Sequence, residues 1–410
     1  MTARGRTILI YNPLAGHGHL DSWNALVVSF LLERGETVLA LTPEPAELLR
    51  RLRLLGVATE HSRLSLLPWL NVKPAVWQRI YHRLAGLARF SQAPNPEASK
   101  HDPENNYLEP REFAQRLQSA LKGVSTRPDF MFNMYMDLYR TDEKRWQAFS
   151  QLCGIPWAGL RFIPQSLPLE GYYKTPNLRG MALLDEKLVA AYQEQLPQLA
   201  IGYLPDMTDV LIGNHTSHIA QAILTRAQGR KIVFMGGTIG KNKNLACWYA
   251  LIQQADAGKW FFVQIGEVLT DDLTQEDRDA CQAIDLAPPE NLYRHIGYLP
   301  DERDFNGAIA VADIIYAVYR DFKISSNMLG KAAAFNKPIV VAQEHLMGER
   351  VRAYQIGIAI PEDDAFAALE ALQTLVERPS NLECFQAYRS DFSTVAFKNS
   401  FFQLIDACQP

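Results

Sequence analysis

"TILIYNPLAGHGHLDSWNALVVSFLLERGETVLAL", residues 7–41, changes its hydrophobic period twice, and those changes decide the fold. Thr7–Tyr11 is a short β-rich run, and the residues from Asn12 to His19 are turn chemistry. Asp21 or Ser22 has the side chain to cap a following helix. Within that helix Trp23, Leu26, Val27, Phe30 and Leu31 recur at i, i+3, i+4, i+7 and i+8, one apolar face. Gly35 is a helix stop, and "TVLAL" resumes as a strand of the kind buried on both sides. Strand, helix, strand in this order is a βαβ unit, whose crossover makes the two strands parallel.

The same grammar returns along the chain. "PDFMFNMYM" (128–136) and "IPWAGL" (155–160) read as strands around a helix near Glu143–Leu152. A second series opens at "RKIVFMGGTIGKNKNL" (230–245) and runs through a helix carrying Trp248, Leu251, Ile252 and Ala255 to the strand "WFFVQIG". It continues with "ADIIYAVY", a helix over Ser325–Phe335, "PIVVA", and a helix over Asp364–Val376. Two such series imply an α/β chain of two Rossmann-like, doubly wound domains facing each other across a cleft. The expected divisions are a first Rossmann-like domain at 1–225, a second at 226–388, and a helical tail at 389–410 packing back on the first domain.

Composition narrows the function. At 410 residues, 48% hydrophobic and 21% charged with a formal net charge of -4, the chain is globular and carries no global nucleic-acid footprint. Its five cysteines (Cys153, Cys247, Cys281, Cys384, Cys408) never fall in CxxC spacing and read as free thiols of a reducing compartment. The apolar run Ile8–Tyr11 is stopped by Asn12–Pro13, too short for a secretory core, and no run is long enough to span a bilayer. A cytoplasmic location is expected. Between residues 61 and 96 there is no Asp or Glu, while Arg79, Arg83 and Arg89 interleave with Trp77, Tyr81 and Phe90. That interval reads first as a helix covering the first domain's core with its charges solvated. Peripheral contact with the inner face of a membrane is the alternative.

Three loops carry candidate chemistry. In "AGHGHL" (15–20), Gly16 and Gly18 begin a dinucleotide fingerprint, but Asp21 occupies the third glycine position. His17 and His19 lack the further ligands of a zinc site, so no metal is expected. Two readings stand: a tight turn, or an imidazole at a strand's C-terminal end that deprotonates an acceptor hydroxyl. In "FMGGTIGKNKNL" (234–245), Gly236, Gly237 and Gly240 let the backbone approach a ligand, Thr238 lies among them, and Lys241 and Lys243 add cations. The helix after it would offer free N–H groups to a diphosphate. In "YRDFKISSNMLGKAAAFNKPIVV" (319–341), Ser325, Ser326 and Asn327 suit either plain N-capping or an anion site near Lys323.

These segments resemble the GT-B glycosyltransferase superfamily, with mixed features of families 1 and 4. Residues 12–41 are similar to the glycine-histidine opening of nucleotide-sugar transferases, and "FMGGTIGKNKNL" to a family 4 phosphate loop. "NLYRHIGYLPDERDFNGAIAVADIIYAVY" (291–319) and "SSNMLGKAAAFNKPIVVAQEHLMGER" (325–350) resemble the donor-domain signatures. The resemblance implies metal-independent transfer of a sugar from a nucleotide-diphosphate donor, a substrate rather than a cofactor, to an unknown acceptor hydroxyl. It assigns the base to His19 or His17, supported by Asp137 near the fourth strand, where Asn133 also lies. It assigns the diphosphate to Lys241, Lys243 and the Ser325–Asn327 helix start. It places Gly297 and Tyr298, within Ile296–Leu299, against the nucleobase, and Glu349 near the sugar hydroxyls. The family's paired glutamates are replaced by Lys323 and Lys331, which weakens a retaining assignment and, with both lysines on the donor side as donor-binding residues, implies either a donor with extra negative charge or a catalytically weakened protein. The rivals are a UDP-sugar 2-epimerase and a non-catalytic sugar-nucleotide or glycan-binding protein.

Overall fold

The computed structural model describes residues 5–14, 19–58, 60–69, 108–139, 143–208, 216–299, 301–378 and 381–408. The chain forms two compact units: residues 1–204 joined by 398–410, and residues 205–397.

The first unit is built on a seven-stranded sheet of order β3-β2-β1-β4-β5-β6-β7. The strands are β1 Thr7–Tyr11, β2 Thr37–Leu41, β3 Leu64–Leu66, β4 Phe130–Asn133, β5 Trp157–Arg161, β6 Leu178–Leu183 and β7 Ala200–Tyr203. Every pairing is parallel, with Ile8 opposite Val38 on one side and Phe130 on the other. The chain order reverses between β1 and β4, so their C-terminal ends flank a topological switch point, where open α/β sheets bind ligands. Helix α1 (His19–Glu33) begins before the Asp21/Ser22 cap read from the sequence, which puts His19 in its first turn. Helix α2 spans Pro45–Leu54, α3 Pro110–Leu121, α4 Glu143–Leu152 and α5 Leu188–Gln195.

The predicted face of α1 is buried, with Trp23, Val27 and Leu31 at or below 1% exposure, but so are Ala25 and Val28 on other sides. Contacts from the far end of the chain reach the end of this helix. Arg34 stacks on Phe402 and pairs with Asp406 at 3.1 Å, and Lys398 reaches Glu33 at 2.7 Å. These contacts hold the C-terminal helix against the first unit, and Arg6, Arg34, Glu36 and Asp406 form one ion network.

The second unit carries a six-stranded, all-parallel sheet of order β10-β9-β8-β11-β12-β13. Its strands are β8 Lys231–Gly236, β9 Trp260–Gly266, β10 Leu292–Ile296, β11 Ile314–Ala317, β12 Ile339–Ala342 and β13 Gly357–Ile360. Its helices are α6 His218–Ala227, α7 Leu245–Gln254, α8 Gln275–Leu286, α9 Glu302–Val311, α10 Asn327–Ala334, α11 His345–Tyr354, α12 Ala365–Glu377 and α13 Leu382–Asp391. The last helix, α14 Thr394–Ala407, starts in this unit and ends in the first.

The unit bounds differ from the divisions read in the sequence. Helix α6 packs on α9, and Thr208 on α10 at Gly330, so residues from 205 onward join the second unit rather than those from 226. Helix α13 also stays with the second unit, because Arg389 donates to the Ala333 carbonyl and, at 2.6 Å, to Asn336 Oδ1. The chain crosses back at Lys398 instead of 389. Among the described residues no helix is long and apolar enough to cross a membrane.

Candidate functional site

The switch point of the second unit lies between β8 and β11. Beyond Gly236 the backbone turns through Gly237, whose φ of +98° is open to glycine and strained for any side chain. Its N–H still donates to the Ile265 carbonyl at 3.0 Å, so the turn is fixed against β9. A short 3-10 turn, Lys241–Lys243, follows, and Asn244 in a left-handed conformation opens α7.

This turn separates the two lysines. Lys241 is two-thirds exposed and lies 3.9 Å from Asp272. Lys243 is only 7% exposed. Its Nζ donates to the Gly236 carbonyl at 3.2 Å and the Tyr319 hydroxyl at 2.6 Å, and lies 3.8 Å from the Tyr319 ring centre. No carboxylate among the described residues forms an ion pair with it. A buried ammonium ordinarily has a paired carboxylate, because removing an unpaired charge from water is costly. Among the described residues, chain neighbours aside, the only atom within 4 Å of a Cβ built on Gly237 is this Nζ, at 3.7 Å, so these residues leave space beside the charge. A buried positive charge beside a bare backbone turn has the chemistry to receive an anionic oxygen.

The frame around Lys243 is rigid. Arg320 donates its backbone N–H to the Asn242 carbonyl at 2.9 Å. Its guanidinium contacts Asn244 at 2.7 Å, Asp277 at 3.3 Å and Asp363 at 3.3 Å. Asp277 is fully buried and accepts the Ala246 N–H at 3.0 Å. The free N–H groups expected at the start of α7 are therefore not all open: an internal carboxylate already takes one. Tyr319, Arg320 and Asp277 were not singled out by sequence. For Asp277 a signal existed, since Thr274 followed three residues later by an acid is capping-box spacing, and Thr274 Oγ1 caps the Asp277 N–H at 3.1 Å.

The other donor-side residues have separate fates. Ser326 caps α10 by accepting the Met328 N–H at 3.3 Å. Ser325 Oγ accepts from Arg350 at 2.7 Å, and the Asn327 carbonyl accepts from Thr208 at 3.3 Å. Lys331 is 3% exposed and turned into the fold, 3.0 Å from Glu302 and 2.6 Å from Asn306 Oδ1. Its charge braces α10 against α9, which corrects its reading as a donor ligand. Lys323 is exposed and pairs with Asp321 at 3.4 Å. Thr238 is exposed and Gly240 buried under Asp272. Gly297, φ +142°, donates to the Gly266 carbonyl at 3.0 Å, and Tyr298 after it is 70% exposed. Glu349 is half-buried on α11.

In the first unit the equivalent switch point lies between β1 and β4, with Asn133 paired opposite Tyr11. His17, and the basic interval from 70 to 96, lie outside the described residues. His19 is described only as the first residue of α1. Asp137 follows β4 and spends both carboxylate oxygens on the loop after β5, accepting the Phe162 N–H at 2.8 Å and the Ile163 N–H at 2.7 Å. Burial pushes its carboxyl above the usual value, against those two N–H groups and the Arg161 charge. It acts as a brace for that loop. Among the described residues no three or more His, Cys, Asp or Glu side chains cluster as metal ligands.

Each of the two units is Rossmann-like, with an all-parallel sheet and a switch point beside its first strand. No protein-family model and no curated protein sequence matches the chain. Solved structures do. The N-terminal domain of Candida albicans trehalose-6-phosphate phosphatase is similar at a TM-score of 0.63 and 9% identity, over 98% of this chain and 97% of that one. An Anabaena protein in complex with UDP and glucose is similar at 0.63 and 11%, over 98% and 100%. A UDP-forming α,α-trehalose-phosphate synthase from Burkholderia vietnamiensis is similar at 0.62 and 12%, over 98% and 99%. At these identities the likeness is one of fold, and one neighbour is named for a phosphatase, so the reaction must be argued from the site.

Proposed function

We propose that the chain is a glycosyltransferase that binds a nucleoside-diphosphate sugar, with UDP as the carrier, in its second unit. The observation that carries this reading is Lys243: a buried ammonium without a carboxylate partner among the described residues, at a switch point, beside a glycine that leaves room for phosphate. The structures solved with UDP and glucose, or with UDP-2-fluoro glucose, on the same fold support the choice of nucleotide. The lysine neutralises charge on the departing diphosphate as the anomeric carbon–oxygen bond breaks. In the first unit His19 is the first residue of α1, the helix that follows β1 in the chain, and is the proposed base toward the acceptor hydroxyl. No step here calls for a metal.

Calorimetry with UDP, followed by product analysis of UDP-sugars with and without sugar acceptors, tests the reading. Binding of UDP and acceptor-dependent release of UDP is the expected result, and His19→Ala removes transfer while leaving UDP binding intact. Epimerised nucleotide sugar from the donor alone makes the chain an epimerase. Binding with no turnover on any acceptor makes it a binding protein. Absence of UDP binding overturns the donor assignment.

A further inference from the structure

We propose that Tyr319 is a second ligand-binding group of the Lys243 site, its phenol O–H donating to the same phosphate that the ammonium holds. The identity of that phosphate as part of a nucleotide rests on the donor reading above. The existence of the pair rests on hydrogen counting.

An ammonium carries three hydrogens and a phenol one. Two of the Lys243 hydrogens go to the Gly236 carbonyl and the Tyr319 oxygen. The third has no acceptor among the described residues. Because Lys243 has no lone pair to offer, the Tyr319 hydrogen cannot return along the 2.6 Å bond between them. It too has no acceptor among the described residues. Tyr319 is 2% exposed and Lys243 7%, so bulk water does not readily supply the missing partners. Buried donors without acceptors are rare in folded proteins, and here two lie within one hydrogen bond of each other beside a formal positive charge. What completes such a pair is an anion with at least two acceptor oxygens on one centre.

The backbone keeps the two groups together. Lys243 follows β8 and Tyr319 follows β11, and the Arg320 N–H to the Asn242 carbonyl, 2.9 Å, joins the two loops next to both residues. The Arg320 guanidinium is spent on Asn244, Asp277 and Asp363 and belongs to the frame. Phe322 packs edge-on against the Tyr319 ring at 5.2 Å, which fixes its plane. Open space at the pair lies over Gly237, where a side chain would meet the Lys243 ammonium.

The test is calorimetry of the whole chain with inorganic pyrophosphate and with UDP, on the wild type, Tyr319→Phe, Lys243→Met and the double variant. Tyr319→Phe keeps the ring beside the ammonium and removes only the O–H. Its Kd for both probes is expected to rise about tenfold, the loss of one hydrogen bond to a charged group. In the Lys243→Met background the same change is expected to add less than about threefold, because the ammonium orients the phenol. Unchanged binding by Tyr319→Phe while Lys243→Met loses it overturns this inference and leaves the donor reading standing. A wild type that binds pyrophosphate but not UDP overturns the donor reading, and a weakened Tyr319→Phe then still supports the pair. A wild type that binds neither overturns both. If Tyr319→Phe does not fold, Tyr319→Met is read against the same outcomes.

Discussion

The Lys243 ammonium and the Tyr319 hydroxyl lie 2.6 Å apart, on loops that leave two adjacent strands of one sheet, and both are buried. Neither residue brings a carboxylate to the pair. Replacing Lys243 by Met keeps the unbranched stem, one atom shorter, and removes the charge. UDP binding is expected to weaken by at least about tenfold. The unliganded protein should change in stability by no more than about 1 kcal/mol, since the lost hydrogen bonds are offset by removal of a buried unpaired charge. Calorimetry and urea unfolding read the two effects separately. A variant that binds UDP as tightly as the wild type sinks the assignment.

Gly237→Ala separates strain from occupancy. The residue sits at φ +98°, so any side chain costs about 1–3 kcal/mol of backbone strain. The new methyl would lie 3.7 Å from Lys243 Nζ, in the space proposed for phosphate. Gly229 is the matched control, at φ +85° with nothing within 4 Å of a Cβ. Both alanine variants should lower the melting temperature by similar amounts. Only Gly237→Ala should also weaken UDP, by about tenfold or more. Equal UDP affinity in the two variants argues against a ligand over Gly237.

The sheet-forming grammar was legible where hydrophobic runs are long. Residues 7–41 gave β1, α1 and β2, and residues 230–266 gave β8, α7 and β9, because buried parallel strands and amphipathic helices have distinct periods. Strands β3, β6 and β7 were not readable: Leu64–Leu66 is too short for a period, and β7 is half-buried throughout. The contacts at the end of α1 were hidden because their partners arrive nearly the whole chain later, at Phe402 and Asp406. In the site, the glycine–lysine loop was visible, but its sequence could not say which lysine turns inward. That is set by the turn at Gly237 and by Asp272 holding Lys241 outside. Lys331 read as a ligand because its partner, Glu302, lies on another helix.

That partnership makes an asymmetric prediction. Lys331 is 3% exposed, whereas Glu302 is more than a third exposed, so water screens the pair on one side only. Glu302→Ala leaves the ammonium buried with Asn306 as its remaining partner and should cost about 2–3 kcal/mol. Lys331→Met returns Glu302 to solvent and should cost less, about 1 kcal/mol. Urea unfolding ranks the two variants. Neither should change the Kd for UDP by more than about twofold, and a large affinity loss in Lys331→Met would restore it as a ligand.

Asp137 supplies a pH signature for the first unit. Its carboxyl is pushed above the ordinary aspartate value of 3.8 by burial, so the folded state holds this proton more tightly than the unfolded chain. Between 3.8 and the higher folded value the folded state binds more protons, and stability therefore falls as pH rises through that window and is level above it. Asp137→Asn has no such titration, although its amide group faces one of the Phe162 and Ile163 N–H donors and lowers stability at every pH. Urea unfolding from about pH 4 to pH 7 on both proteins isolates the residue, since all other carboxyls are shared. The stability advantage of the wild type over Asp137→Asn should be largest at the acid end and shrink as pH rises. An advantage that grows with pH would mean that the two N–H groups and Arg161 outweigh burial, and that Asp137 is held ionised in the fold.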